Sequence, residues 1–192
     1  MKRITTKLSL WLVGAVCAVA AFTAESQAAT SAAIDIRVSI SATKSLSVGT
    51  TVYNYGALNV NVSSVSSSIL VTNDSGALTE SYSLQGANAA STGGGTTWTL
   101  AASTSTDQYA LAAQFSTSQP ADTDAAFSSD DTTTSVINCT TTVFGNGTAG
   151  ESGASVSPSA GSRDRNLWFR IRTPNIVSDT TQRLATLTLA VQ

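Results

Sequence analysis

Residues 166–173 show the clearest alternation of apolar and polar side chains, in the order Asn-Leu-Trp-Phe-Arg-Ile-Arg-Thr. A period of two residues is typical of an extended strand whose two faces meet different surroundings. On one face the alternation places the apolar residues Leu167, Phe169 and Ile171. On the other face it places Trp168 and the cationic residues Arg170 and Arg172. We predict a strand that turns the first set toward a core and the second toward a loop or an interface. Pro174 has no N–H to donate and should end it.

Shorter alternations recur along the chain between turn-forming groups such as Asn73-Asp74-Ser75-Gly76. They cover residues 34–40, 46–48, 52–55, 58–62, 69–72, 82–84, 98–100, 109–115 and 136–144. The last apolar run, Leu184–Val191, is predicted to return antiparallel to the strand at 166–173. About nine or ten strands without a helical period indicate an all-β protein. Unequal loops favour an antiparallel β-sandwich over a barrel.

Residues 1–28 have the pattern of a secretory signal peptide. Three basic residues precede an uncharged apolar run over residues 8–22, which is short for a membrane span. Ser26-Gln27-Ala28 then offers small residues to a signal peptidase. We predict cleavage after this tripeptide, a single domain over residues 29–192 and no membrane span afterwards, the alternative being an uncleaved anchor. The mature protein is expected outside the cell or at its surface, with the periplasm as the other compartment.

Charge and side-chain chemistry narrow the function classes. Cleavage would leave seven basic and eleven acidic side chains, so no basic excess remains for phosphates and nucleic acid is not an expected partner. The chain has no His, which removes the commonest general base, the commonest zinc ligand and every Ser-His or Cys-His pair. We therefore expect no enzyme activity and name no catalytic residue.

Cys139 is the one cysteine left after the predicted cleavage, because Cys17 lies in the apolar run of the signal peptide. It has no intrachain partner for a disulfide. A single thiol in an oxidising compartment is either buried and inert or pairs between chains. We predict the buried form.

Two neighbouring segments carry a resemblance to a known class of module. Tyr53-Asn54-Tyr55-Gly56-Ala57-Leu58 and Ile69-Leu70-Val71-Thr72-Asn73-Asp74-Ser75-Gly76 together resemble bacterial immunoglobulin-like modules, in which an aromatic-Gly turn follows a strand and a hydrophobic strand ends in Thr-Asn-x-x-Gly. The resemblance implies an immunoglobulin-like sandwich of the kind found in exported surface and fibre proteins. Such modules share no common active site.

The loop over residues 116–131 holds the densest group of acidic side chains: Asp122, Asp124, Asp130 and Asp131. Carboxylate oxygens at this density are suitable ligands for calcium. The spacing differs from an EF-hand, because Phe127 stands where that loop requires glycine. The alternative to a calcium site is a solvated acidic loop. No other cofactor is expected.

Aromatic residues and long loops suggest two further kinds of site. Trp98, Trp168, Tyr82 and Tyr109, with Arg170 and Arg172, have the chemistry of a sugar-stacking platform, although large aromatic side chains more often fill a core. The loops over 116–131 and 145–165 would then present a glycan-binding surface. Trp168, Arg170 and Arg172 are also interface candidates, because tryptophan and arginine often dominate protein interfaces.

The segment after the predicted cleavage site is a second interface candidate. Ile34, Ile36, Val38 and Ile40 alternate with polar residues at the free end that cleavage would release. Such a strand pairs either within its own sheet or with a sheet edge of a neighbouring molecule. Pairing with a neighbour would build a fibre, because the contact is head-to-tail and does not close.

These observations favour a secreted structural protein, a subunit of a cell-surface layer or an extracellular filament. Its expected partners are copies of itself or other surface proteins. The alternative is an adhesin or carbohydrate-binding module that uses the two long loops.

Overall fold

The computed structural model describes Val38 and residues 42–192, and this part of the chain is built from β-strands. Its helical content is the 3-10 turn Ser129–Asp131. The all-β prediction is therefore confirmed. A helix with the length and apolarity to cross a membrane is not found in the described part. The predicted signal peptide over 1–28 and the predicted strand over 34–40, apart from Val38, lie outside the described residues.

Eleven strands are present within the described residues, against a predicted nine or ten. The larger sheet contains β1 (Leu46–Val48), β2 (Ser63–Val65), β3 (Ile69–Asn73), β6 (Thr99–Leu100), β7 (Gln108–Phe115) and β9 (Asp164–Arg172). A second sheet contains β4 (Tyr82–Gly86), β8 (Ile137–Asn138) and β11 (Leu187–Val191), and a separate pair joins β5 (Ala90–Ser91) to β10 (Arg183–Leu184). Several of these strands are too short to show an alternation in the sequence.

Strand β9 is the centre of the larger sheet, whose order is β1-β3-β9-β7-β6. It pairs antiparallel with β3 and β2 on one side and with β7 on the other. Leu167 thus stands between Ile69 and Phe115. The predicted apolar face of β9 does turn to the core, and the strand ends at Arg172, two residues before Pro174.

The prediction that the last strand pairs antiparallel with β9 is wrong. β11 pairs antiparallel with β4 in the second sheet and not with β9, which already has a partner on each edge. The run Leu184–Val191 is also interrupted, because Leu184 belongs to β10 and pairs with Ala90. Residues 173–186, which include β10, connect β9 of the larger sheet to β11 of the second sheet, and sequence alternation cannot distinguish this connection from a hairpin.

The two sheets contribute side chains to one hydrophobic core. Val71, Ala113, Phe115 and Leu167 come from the larger sheet, Tyr82 and Leu84 come from the second sheet, and Cys139, Phe144 and Val156 come from loops between strands. A smaller cluster of Ala89, Tyr109 and Leu111 adjoins Phe169 and Leu187, which also pack against the main core. Burial of this apolar surface is the main favourable contribution to folding.

The segment 52–62 differs from prediction, because the expected strands at 52–55 and 58–62 are absent and the strand β2 forms at 63–65 instead. Asn61 has a φ of 55°, which interrupts an extended backbone. Side-chain bonds take the place of a ladder. The Tyr55 hydroxyl donates to the carbonyl oxygen of Phe169 at 3.1 Å, and the Tyr53 hydroxyl accepts the N–H of Ser67 at 3.1 Å.

Core packing around Gly153 gives a prediction about stability. A Cβ atom on Gly153 would lie 2.7 Å from Cε2 of Phe115 and 2.9 Å from Sγ of Cys139. We expect Gly153→Ala to lower the free energy of unfolding by about 1–3 kcal/mol, because overpacking forces buried side chains to move. Urea denaturation of the purified protein measures this change.

Gly49→Ala is the matched control, because its added Cβ would lie 3.4 Å from the nearest atom, Cβ of Leu70. We expect it to change the free energy of unfolding by less than about 0.5 kcal/mol. Equal effects of the two substitutions would contradict the close packing around Gly153.

Candidate functional site

The outer face of β9 is covered by the loop over 116–131, and Arg170 is the residue that holds the two together. Its side chain is only 8% exposed. Nε of Arg170 lies 2.7 Å from Oδ1 of Asp122, and Nη1 lies 2.6 Å from Oδ1 of Asp124. Short, charge-assisted bonds of this kind are roughly twice as strong as neutral ones. A buried cation is thereby paired with two carboxylates from the loop.

Further contacts hold the same loop to the sheet along its length. The indole N–H of Trp168 donates to the carbonyl oxygen of Ser116 at 2.9 Å, and the amide of Gln114 donates to that of Ala126 at 2.8 Å. Phe127 of the loop is itself buried, with the Arg170 guanidinium 6.0 Å from its ring centre. The Ser63 hydroxyl of β2 donates to Asp122 at 2.6 Å. The loop is therefore an integral layer of the fold.

The interface candidates on β9 occupy different surroundings. Trp168 is half-buried under the loop, and Arg170 is buried. Arg172 is the more accessible of the two arginines, and its Nη1 lies 3.3 Å from Oδ1 of Asp124. The structure thus brings the three residues together on one face, as predicted, but directs Trp168 and Arg170 to contacts within the chain.

The calcium candidates divide into two groups. Asp122 and Asp124 are bonded to Arg170, whose charge opposes that of a bound cation. Asp131 is buried and accepts the N–H of Ser128 at 3.0 Å and its hydroxyl at 3.1 Å, an arrangement that caps the 3-10 turn containing Asp130. Within residues 42–192, no three acidic or thiol side chains are grouped to hold a metal ion. Calcium binding stays a prediction.

Hydrogen bonding to Asp124 perturbs its ionisation. The bond from Arg170, followed by the charge of Arg172, holds the pKa of the Asp124 carboxyl below its usual value. The carboxylate itself is 72% exposed at the surface of the loop, so solvent screens these interactions.

The second long loop, over 145–165, is joined to the first by Glu151. Its Oε2 accepts the backbone N–H of Thr117 at 3.2 Å and the side-chain amide of Asn146 at 2.7 Å. Both bonds lower the pKa of Glu151, and the bond from the N–H of Thr117 has the larger effect. Beside them lies a cleft of about 220 Å³ whose lining includes Leu70, Thr117, Glu151 and Asn166. The two loops that the sequence assigned to one binding surface do meet.

The four aromatic residues considered for sugar stacking do not form a single exposed platform. Tyr82 and Tyr109 are fully buried. Desolvation, followed by the charge of Glu80, raises the pKa of the Tyr82 hydroxyl far above its usual value, and desolvation raises the pKa of Tyr109 to about 12. Trp98 is half-buried below the guanidinium of Arg183, which lies 5.1 Å from its ring centre. These aromatics mainly fill the fold.

A second arginine–aspartate contact was not anticipated from the sequence. Nη2 of Arg183 lies 2.8 Å from Oδ1 of Asp179, whose other oxygen accepts the N–H of Thr96 at 2.7 Å. The bond from the Thr181 hydroxyl comes first among the causes that lower the pKa of Asp179. The four-residue spacing of aspartate and arginine was visible in the sequence, but only on a helix would it have indicated a contact.

The glycine triplet 93–95 is explained by the same contact. A Cβ atom on Gly95 would lie 2.3 Å from Oγ1 of Thr181 and 2.5 Å from Oδ1 of Asp179. Gly94 has a φ of 82°. The triplet therefore permits close approach of the Asp179 segment, a role in folding that glycine serves well because it has no side chain.

Cys139 is buried in the main core and 5% exposed, which confirms the prediction of a buried thiol. Desolvation raises its pKa to about 12, so the thiol stays protonated at neutral pH. A protonated, buried thiol is a poor nucleophile.

Comparison with known proteins finds no similar protein. A scan against models of protein families finds no match, and searches among curated proteins and among solved structures find no significant similarity.

The lowered pKa of Asp124 predicts a pH dependence of stability. A carboxyl whose pKa is lower in the folded state stabilises the fold above its unfolded pKa, about 3.9, and this contribution is lost as pH falls through the folded pKa. We therefore expect Asp124→Asn to be less stable than the wild type at pH 6, and the difference to shrink as the pH falls below about 4. Chemical denaturation at both pH values gives the comparison.

Asp74→Asn provides the control for this experiment. Asp74 is exposed and makes no ion pair with another described residue. Its substitution should change stability little at either pH. A gap between wild type and Asp124→Asn that stays constant from pH 6 to pH 3 would show that the Arg170 contact is not formed in solution.

Proposed function

We propose that this protein is an exported structural subunit of a cell-surface layer or an extracellular filament, built on an immunoglobulin-like antiparallel β-sandwich. The observation that carries the proposal is the use of its charged side chains. The side chains of Arg165, Arg170 and Arg183 are buried, and each bonds to oxygens of its own chain. These charges fix loops to sheets, which is the requirement for a rigid building block.

The arrangement of the core supports the immunoglobulin-like part of the proposal. Side chains from two mainly antiparallel sheets meet in one core, as in a sandwich. The glycines at the expected turns of the two resembling segments, Gly56 and Gly76, both have a φ of 72°. Tight turns at these points agree with the turns expected for such a module.

A structural subunit should assemble. We expect the purified, exported protein to form regular filaments or two-dimensional arrays in negative-stain electron microscopy as its concentration is raised, and light scattering after size-exclusion chromatography to show species larger than a monomer. Antibodies should label it outside intact cells. A protein that stays monomeric at every concentration and is not accessible to antibody would contradict the proposal.

A second candidate, a glycan-binding adhesin module, is supported by the cleft between the two long loops. The cleft combines the exposed apolar side chain of Leu70 with the polar groups of Thr117, Glu151 and Asn166. Such a mixture of an apolar surface and a few fixed polar groups is typical of small-ligand sites.

Glycan binding at this cleft predicts a residue-specific loss. On a glycan array, binding by the wild type should fall at least about tenfold with Asn166→Ala, a loss that corresponds to about 1.4 kcal/mol. Asn59→Ala, at an exposed position outside the lining of the cleft, should retain the wild-type signal. Absence of any array signal from the wild type would remove this candidate.

A further inference from the structure

Strand β11 has one edge without a partner among residues 42–192. Its pairing with β4 places Thr188 opposite Gln85 and Ala190 opposite Ser83. At the two ends of the ladder, the N–H of Gln192 donates to Ser81, and the N–H of Ala87 donates to Thr186. In an antiparallel strand, the N–H and C=O groups of successive residues point alternately to the two neighbouring edges. The even-numbered residues of β11 therefore face β4, and residues 187, 189 and 191 direct their N–H and C=O groups to the open edge.

The apolar side chains at this edge are partly exposed to solvent. Leu187, Leu189 and Val191 pack against the main core, yet all three are only part-buried. The edge includes no lysine, proline or bulge, the devices by which proteins protect an edge from pairing. The other outer strands of the two sheets, β1, β6 and β8, are two or three residues long, whereas β11 has five. It is the best template in the described part for an added strand.

Residues 34–40 are a stretch with strand alternation that lies outside the described residues, apart from Val38. Its apolar positions repeat every second residue, as a strand that covers a core requires. Val38, which the structure describes, lies in no strand and is 78% exposed. An exposed apolar residue within such a segment is a candidate for burial in an interface.

Chain direction favours a second molecule as the source of this segment. Lys44 donates a hydrogen bond to the carbonyl oxygen of Gln192, just past the last residue of β11. The four residue steps from Ile40 to Lys44 span at most about 14 Å, less than the roughly 17 Å from Leu187 to Gln192. A molecule's own segment is therefore placed most easily with Ile40 near the Gln192 end of the edge, which is parallel to β11. A segment from a second molecule also fits antiparallel, the more stable pairing.

From these observations we propose that residues 34–40 of one molecule add as a strand to the open edge of β11 in a second molecule. The added strand would supply hydrogen bonds to residues 187, 189 and 191 and cover the part-exposed core beside them. The donor segment and the acceptor edge are different surfaces, so the contact is head-to-tail and propagates into a filament. This inference rests on the proposed structural function and gives it a mechanism of assembly.

The acceptor edge is tested with a pair of substitutions at one position in the full chain. Leu189→Pro removes an N–H that faces the open edge and leaves the ladder to β4 intact, because proline is tolerated on an edge strand in that orientation. Leu189→Ala makes a similar loss of packing but keeps the N–H. We expect both variants to show similar melting temperatures, Leu189→Ala to assemble, and Leu189→Pro to remain monomeric in light scattering.

The donor segment is tested with Ile36→Asp/Ile40→Asp, which places charges on its apolar face. This variant alone should be monomeric. Mixed with Leu189→Pro, it should form one-to-one dimers, because the Leu189→Pro molecule keeps its donor and the other molecule keeps its acceptor edge. Monomers in the mixture, where the wild type assembles, would show that the segment does not add to the β11 edge of another molecule, and would overturn the exchange.

The possible results separate the two proposals. A wild type that assembles, together with Leu189→Pro and Ile36→Asp/Ile40→Asp variants that assemble equally well, would overturn the β11 edge as the site while leaving the structural function intact. A wild type that never assembles would overturn both. If Leu189→Pro melts well below Leu189→Ala, its loss of assembly no longer tests the edge, and the mixture of Ile36→Asp/Ile40→Asp with the wild type decides: capped, shorter filaments support the exchange, and unchanged filaments overturn it.

Discussion

The pairing of Arg170 with two aspartates is the contact on which the arrangement of the loops depends. Arg170 lies on the central strand of the larger sheet, where burial of an unpaired guanidinium would cost several kcal/mol. Asp122 and Asp124 remove that cost only if the loop over 116–131 lies across the sheet. Buried ion pairs are weak sources of net stability, so the contact is better understood as selecting one position for the loop.

The same solution appears at two other places. Arg183 and Asp179 hold the segment after β9 against the glycine triplet, and Glu151 joins the two long loops through backbone and amide N–H groups. The bonds to the N–H groups of Thr96 and Thr117 link segments that are far apart in the sequence. A Ser- and Thr-rich chain with few charges thereby uses Arg165, Arg170 and Arg183 to fix irregular segments, whereas the apolar residues of the strands supply the core.

Among residues 42–192, the loops on the β9 face are fixed by contacts within the chain, whereas one edge of β11 is unpaired. The β9 face is closed by the chain itself, so its Trp168 and Arg170 are already in use. The edge of β11 offers backbone groups and part-exposed apolar side chains instead. Backbone pairing takes its affinity from main-chain hydrogen bonds, so it suits a protein with few charged residues.

The sequence by itself determined the strand character of β3, β4, β7 and β9, the direction of the apolar face of β9 and the burial of Cys139, because alternation and composition are local properties. Only the tertiary structure decided that β11 joins β4, that residues 52–62 form no strand, and that Asp122 and Asp124 meet Arg170 rather than each other. These outcomes depend on which distant segments compete for the same edge or charge. No window of the sequence contains both competitors, and so the pattern within it cannot show which one is bound.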